Sequence, residues 1–212
     1  MPVEVLEDGR KRIRAPLSDE DVRSLSIGDV VLVGGTIYAA RDAAHKVLIE
    51  MLDRGEPLPF DPEGQIVYYV GPTPERPGNV IGSAGPTTAS RMDRYTPRLL
   101  EMGLKGIIGK GGRGPMVRDE LKRHTAVYMA ALGGGGALAA LQVRAQRVIA
   151  FPELGTEAVR EMEVEDFPVW VVNDAEGRDF YAESVKPWRK NELLPEGLRI
   201  PADTSRGDGG GL

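Results

Sequence analysis

Three short stretches of the chain bring together residue types that could do chemistry. In Gly85–Asp93, GPTTASRMD, two adjacent threonines and an arginine follow a glycine–proline break. Gly85 and Pro86 should halt the preceding strand, and Thr87 or Thr88 is then placed to cap a helix whose first amides and dipole face outward. A hydroxyl cap alone accounts for the threonines. Arg91, one helical turn after Thr87, adds a guanidinium fork on the same face. Hydroxyl, fork and free amides together make a carboxylate-binding arrangement, and both readings stay open for Thr87. Arg41 is a second candidate. It sits where an apolar strand meets a helix, the junction at which α/β proteins place ligands, and its charge opposes the helix dipole unless an anion is near. Lys110 is a third, in Gly109–Gly114, GKGGRG, where glycines let backbone amides approach an anion.

That glycine stretch matches G-x-G-x-x-G, but the acidic residue of a dinucleotide fold is missing about 20 positions on, where the run Gly133 to Gly136 stands. It is no Walker motif either, because glycine follows Lys110. The plainer reading is a flexible loop whose glycines let backbone amides approach something closely, which an anion near Lys110 would satisfy. His45, four residues after Arg41, reads as a structural histidine bonded to backbone, and His124 as a surface residue at a helix end.

The elements that must position these residues alternate in the α/β manner. Ser18 followed by Asp19, Glu20 and Asp21 is a helix start. VVLVGGTIYAA reads as two short strands, or one broken at Gly34 and Gly35. RDAAHKVLIEMLDRG is an amphipathic helix with Ala44, Val47, Leu48 and Met51 on its face. IVYYVG is a strand and GPTPERPG a loop. SRMDRYTPRLLEMG predicts a helix burying Met92, Tyr95, Leu99 and Met102, split at Pro97. KGIIG and TAVYMAAL read as strands around a short helix that begins at Pro115, and GGGGALAALQ enters another helix. RVIAFPEL, EMEVEDFPVWVVND and RDFYAE read as strands, with a turn at Asp174 to Gly177. Residues 1–188 make one domain, and 189–212, rich in Pro, Gly and charge, read as a disordered tail.

Composition narrows the function. The 212 residues carry a net charge of −5 with no dense basic block, which argues against nucleic acid. With 0 cysteines, the chain offers no disulfide, thiolate nucleophile or iron–sulfur ligand of its own. The apolar runs are far short of a membrane span and the N-terminus lacks a signal-peptide core, so the chain reads as cytoplasmic.

GTIYAARDAAHK, YYVGPTPERPGNVIGSAGPTTASRMD, GLKGIIGKGG and ELGTEAVREMEVEDFPVWVVND, in this order, resemble the β subunit, or C-terminal domain, of class I iron–sulfur fumarases and the related tartrate dehydratases. The resemblance runs from Ile13 to Phe180, and Ser90 stands where that family most often has glycine. It implies a swivelling β/β/α-type layered α/β domain with a mixed sheet. It also implies a partner α subunit that holds a [4Fe-4S] cluster through its own cysteines, in a hetero-oligomer such as α2β2. By motif position Thr87 becomes the proton-transferring group, Arg41 and Arg91 grip carboxylate with Thr88 beside them, and Lys110 stabilises developing charge. The reaction implied is reversible hydration of fumarate to malate. Tartrate dehydration to oxaloacetate is the alternative, and a non-catalytic anion-binding or assembly module is the rival from another class.

Overall fold

The computed structural model describes residues 3–188, so the tail expected over 189–212 lies outside the described residues. One compact unit runs to Phe180. Its elements in order are β1 (Glu4–Val5), β2 (Lys11–Arg14), α1 (Asp19–Arg23), β3 (Val30–Ala39), α2 (Asp42–Asp53) and β4 (Ile66–Tyr68). A 3-10 turn (Ala89–Met92), α3 (Thr96–Glu101), β5 (Gly106–Gly109), α4 (Pro115–Arg123), β6 (Val127–Ala130), α5 (Gly136–Ala140), β7 (Val143–Ala150) and β8 (Val159–Asn173) follow. Ser18 starts α1 as read: its hydroxyl accepts the Asp21 N–H at 3.2 Å while the Asp21 carboxylate accepts the Ser18 N–H at 2.9 Å, a capping box.

The layered α/β architecture with a mixed sheet is what the chain adopts, and the sheet closes on itself. β3, β4, β5 and β6 run parallel, β6 pairs antiparallel with β8, and β8 returns to pair antiparallel with β3. This five-strand ring has no free edge, and β7 and the β1–β2 pair extend it outside. Closure depends on β3, which is one strand and not the broken pair read from VVLVGGTIYAA. Its partner register on β8 shifts between Val33 and Gly35, a bulge that bends the strand instead of ending it. Gly35 has φ +89° there, and a Cβ on it would lie 2.9 Å from the Ala15 carbonyl oxygen, so only glycine fits.

Alternation along the parallel strands sorts side chains into two cores. Ile66, Tyr68, Ile108, Val127 and Met129 point into the ring with Val33, Ile37, Met162 and Val171. Val67, Tyr69, Ile107 and Tyr128 point outward, where α2, α3 and α4 cover them with Ala44, Leu48, Leu99, Leu100, Val117 and Leu121. Each leucine fully buried this way contributes about 2 kcal/mol of transfer free energy. Pro97 divides the expected helix into the 3-10 turn and α3. Met92, Tyr95 and Leu99 are buried as read, whereas Met102, at the C-cap where the chain leaves the core face, is exposed.

RDFYAE does not form a strand. A single antiparallel bridge joins Asn173 to Asp179 beyond the Asp174–Gly177 turn, and the chain then becomes α6 (Phe180–Ser184). Tyr181 begins a second unit, whose described part is the rest of α6 and a 3-10 turn at Lys186–Trp188.

Candidate functional site

The candidate residues lie at the carboxyl ends of the parallel strands, where the chain leaves the ladder and backbone direction changes. Arg41 stands just past β3, and Lys110 just past β5. Thr87 and Thr88 reach the same end because the segment before the 3-10 turn behaves as an added strand. The Thr87 N–H donates to the Tyr69 carbonyl at 2.7 Å, the Lys110 N–H to the Thr87 carbonyl at 3.1 Å, and the Ala89 N–H to the Lys110 carbonyl at 2.8 Å. Thr88 therefore pairs with Lys110 in a parallel bridge.

That pairing corrects the reading of GPTTASRMD as a capped helix with free amides. The amides of Thr87 and Ala89 are bonded to carbonyls, the helix is a 3-10 turn of 4 residues, and Thr88 at its N-cap makes no side-chain cap bond. No hydrogen bond of the Thr87 or Thr88 hydroxyl is found among the described residues. Thr87 is half-buried, while Thr88, Arg91 and Lys110 are exposed.

Arg41 and Arg91 meet through a residue that the sequence reading passed over. Asp42 places one carboxylate oxygen 2.8 Å from Arg91 Nε and the other 3.3 Å from Arg41 Nε. Glu157 joins from the far end of the chain: its Oε1 lies 3.4 Å from Arg41 Nη2, and its Oε2 accepts the Ala43 N–H at 2.7 Å. Arg41 occupies the N-cap of α2 without a cap bond. The conflict between its charge and the helix dipole is thus relieved by two protein carboxylates in place of a bound anion. An acid beside Arg41 is visible in ARDAAH, but nothing local marks Glu157, which lies 114 residues from Ala43.

The glycine stretch is anchored from below. Arg113, with its side chain 0% exposed, sets Nε 2.8 Å from Asp93 and donates from Nη2 to the Thr96 hydroxyl at 2.6 Å. Its guanidinium lies 5.5 Å and 5.1 Å from the ring centres of Tyr69 and Tyr128. The second Asp93 oxygen accepts the Gly114 N–H at 2.8 Å, and the Tyr128 hydroxyl donates to the Gly111 carbonyl at 2.7 Å. Asp93 of GPTTASRMD thus ties that segment to the Lys110 loop, so the loop is held in place and not the flexible one that its glycines suggested.

His45 is structural in its bonding, as read. It is fully buried, and its Nδ1 lies 2.9 Å from the Arg41 carbonyl oxygen, which obliges Nδ1 to carry the proton. Nε2 has no partner among the described residues. Burial pushes its pKa down to about 4, and the positive charge of Arg113 acts in the same direction. His124 ends α4, half-buried, with Nε2 3.2 Å from Glu120.

The site is an open shelf. Arg41, Thr87, Thr88, Arg91 and Lys110 line none of the three cavities described, the nearest in sequence being one of about 590 Å³ under the 73–83 loop. None of these three cavities is the enclosed, cation-rich pocket that a dicarboxylate clamp calls for. What the candidate residues do form is three cationic groups and a hydroxyl on neighbouring segments at one end of a closed sheet, the end at which α/β domains place ligands.

The comparisons narrow that class. Residues 5–184 match the family model of the Fumarase C-terminus, and the chain belongs to that family. It is similar to the putative L(+)-tartrate dehydratase subunit beta of Methanocaldococcus jannaschii, 40% identical over 186 residues that cover 84% of this chain and 95% of that one. The L(+)-tartrate dehydratase subunit beta of Escherichia coli is 32% identical over 194 residues, 88% and 95% of the two chains. Fumarate hydratase 2 of Leishmania major is 42% identical over 161 residues, 75% of this chain and 28% of that protein. The chain thus spans about a third of the length, or less, of the fumarate hydratases it matches and nearly the whole of the tartrate dehydratase subunits.

Proposed function

We propose that this chain is the β component of a two-part hydro-lyase, cytoplasmic, that adds water reversibly across the double bond of a dicarboxylate, fumarate giving malate. The observation that carries the reading is the gathering of Arg41, Arg91, Thr87 and Lys110 at one end of the closed sheet, with Asp42 joining the two arginines and a backbone bridge joining the threonines to Lys110. The open shelf and the 95% coverage of two relatives named as β subunits support a second component that closes over it.

In the dehydration direction the guanidinium of Arg91 binds one substrate carboxylate through the nitrogens that Asp42 leaves unengaged, and Arg41, 22% exposed, supports the other end. The Thr87 oxygen takes the proton from the carbon next to a carboxylate, and Lys110 stabilises the negative charge that builds there as the C–H bond breaks. A threonine hydroxyl is a weak base, and a cluster of cations beside it favours its ionised form. Thr88 contributes a neighbouring hydroxyl on the exposed side of the same segment. The residues present do not fit a resident iron–sulfur cluster: the sequence has 0 cysteines, and the described residues contain no group of three His, Cys, Asp or Glu placed to hold a metal ion. In the proposed assembly the [4Fe-4S] cluster would be held by cysteines of a partner α subunit, as in an α2β2 complex, and would supply Lewis-acid chemistry there.

Tartrate dehydration to oxaloacetate is the second reading, favoured by the names of the two relatives that this chain covers almost completely. Co-expression with a cysteine-bearing partner chain under anaerobic conditions, then assay on fumarate, malate and tartrate, tests both. Turnover that requires both chains supports the proposal, and the preferred substrate selects the reading. A stable two-chain complex that turns over none of the three would leave an anion-binding or assembly module.

A further inference from the structure

We infer that Asp42 and Glu157 are positioning residues that set the two arginines for the substrate; the inference rests on the dicarboxylate reading above and names the groups that would make its clamp work. ELGTEAVREMEVED contributes Glu157 at the end of a 3-10 turn, Pro152–Glu157, and the chemistry proposed so far gives that motif no part. Its carboxylate is divided between the first turn of α2 and Arg41 Nη2. Asp42 is divided between Arg41 and Arg91, one oxygen to each Nε.

The geometry of this bracket is specific. Arg91 meets Asp42 at Nε and its side chain is 50% exposed, so a carboxylate can approach its outer Nη edge in the two-point manner. Arg41 is confined on three sides: Asp42 at Nε, Glu157 at Nη2, and the bare backbone of Gly71, where a Cβ would come within 2.9 Å of Arg41 Cδ and 3.0 Å of Nη1. A long side chain with many rotamers is thereby restricted before substrate arrives, which removes an ordering cost from binding.

Two other roles for the acids predict different behaviour. If they only dilute the positive potential, neutralising them should tighten anion binding and lower KM. If they only cap α2, neutralisation should lower the melting temperature without touching KM, and Glu157→Gln keeps an oxygen to accept the Ala43 N–H. Positioning predicts the opposite sign from dilution: despite the gain in net positive charge, KM rises.

The test uses the reconstituted two-chain complex, with Asp42→Asn and Glu157→Gln compared with the native chain on fumarate, malate and tartrate. KM should rise about 10- to 100-fold with kcat within about threefold, as expected when groups that bind carboxylate equally in ground and transition states lose alignment. An unchanged or lower KM in both variants overturns the inference. If Asp42→Asn fails to fold, Glu157→Gln decides alone. Should the native complex turn over none of the substrates, the functional reading has failed, and positioning is read separately from the exchange of the arginine Nε–H protons by NMR of the full chain. In native protein that of Arg41, which is hydrogen-bonded to Asp42, should exchange slowly, and Asp42→Asn should release it. Equal exchange in native and variant chains refutes the bracket itself.

Discussion

Acidifying the medium from about pH 7 to about pH 4 should cost the fold about 3 kcal/mol at His45 alone. The amount follows from its surroundings. Nδ1 carries its proton toward the Arg41 carbonyl, so any added proton goes to Nε2, which is buried without an acceptor among the described residues and faces the field of Arg113. Burial thus lowers the folded pKa to about 4 from the ordinary 6.5. A base with a depressed folded pKa binds its proton more readily in the unfolded chain. Its neutral form therefore contributes full stability above pH ~6.5, the contribution falls as pH drops, and the loss levels off below pH ~4. Urea unfolding of the native chain and of His45→Phe at both pH values isolates this contribution, because the carboxylates titrate in both and cancel in the difference. The difference in unfolding free energy between the two proteins should shift by about 3 kcal/mol in favour of the variant at the lower pH. A shift under about 1 kcal/mol would mean that protonated His45 is accommodated in the fold and that the burial argument fails.

Thr87→Ala should lower kcat of the proposed two-chain enzyme about 10²- to 10⁴-fold while changing stability by less than about 0.5 kcal/mol, since no helix cap is lost; a melting-temperature drop with kcat unchanged refutes its proton role. Arg91→Lys should mainly raise KM, because an ammonium keeps the charge and loses the fork, and a fall in kcat at constant KM would place Arg91 in the chemical step. Asp93→Ala strands the buried Arg113 charge and should cost about 3 to 5 kcal/mol by chemical denaturation. A loss under about 1 kcal/mol would show that Tyr69, Tyr128 and Thr96 suffice to hold the guanidinium.

How much of this was legible in the sequence depended on the range of the interaction. The Ser18 capping box, the amphipathic α2, Pro115 at the start of α4 and the turn at Asp174 to Gly177 are set within a few residues, and they are where the sequence put them. Gly34–Gly35 misled because glycine breaks a strand or bulges it equally well, and the choice was made by β8, which pairs with β3 from the other end of the chain. Ring closure by β8 is likewise a long-range event with no local mark. In GPTTASRMD the residue types pointed to a helix cap, but carbonyls of Tyr69 and Lys110 engaged the amides first, and a strand-like bridge replaced the cap. The cations were visible from type and place. Of the acids around them, Asp42 was visible beside Arg41, but Glu157 and Asp93 act across folds of the backbone and carry no local mark.

The candidate groups are held by two kinds of constraint, and the difference has consequences for how the site fails. Thr87, Thr88 and Lys110 are placed by main-chain hydrogen bonds that continue the parallel sheet, reinforced below by the Asp93–Arg113 pair. A hydrophobic side chain in place of Arg113 would pack as well or better on general grounds. It could not engage Asp93 and Thr96 at once, however, and it is through Asp93 that the GPTTASRMD segment is fastened to Gly114. Damage to this group should therefore appear as lost stability and lost activity together. Arg41 and Arg91 are placed by ion pairs on an exposed shelf, Arg91 being 50% and Asp42 26% exposed, where such pairs add only ~1 kcal/mol or less to the fold. Their positions can be lost with the protein still folded. Substitutions at Asp42 or Glu157 should thus separate binding from stability, while substitutions at Asp93 or Arg113 should not.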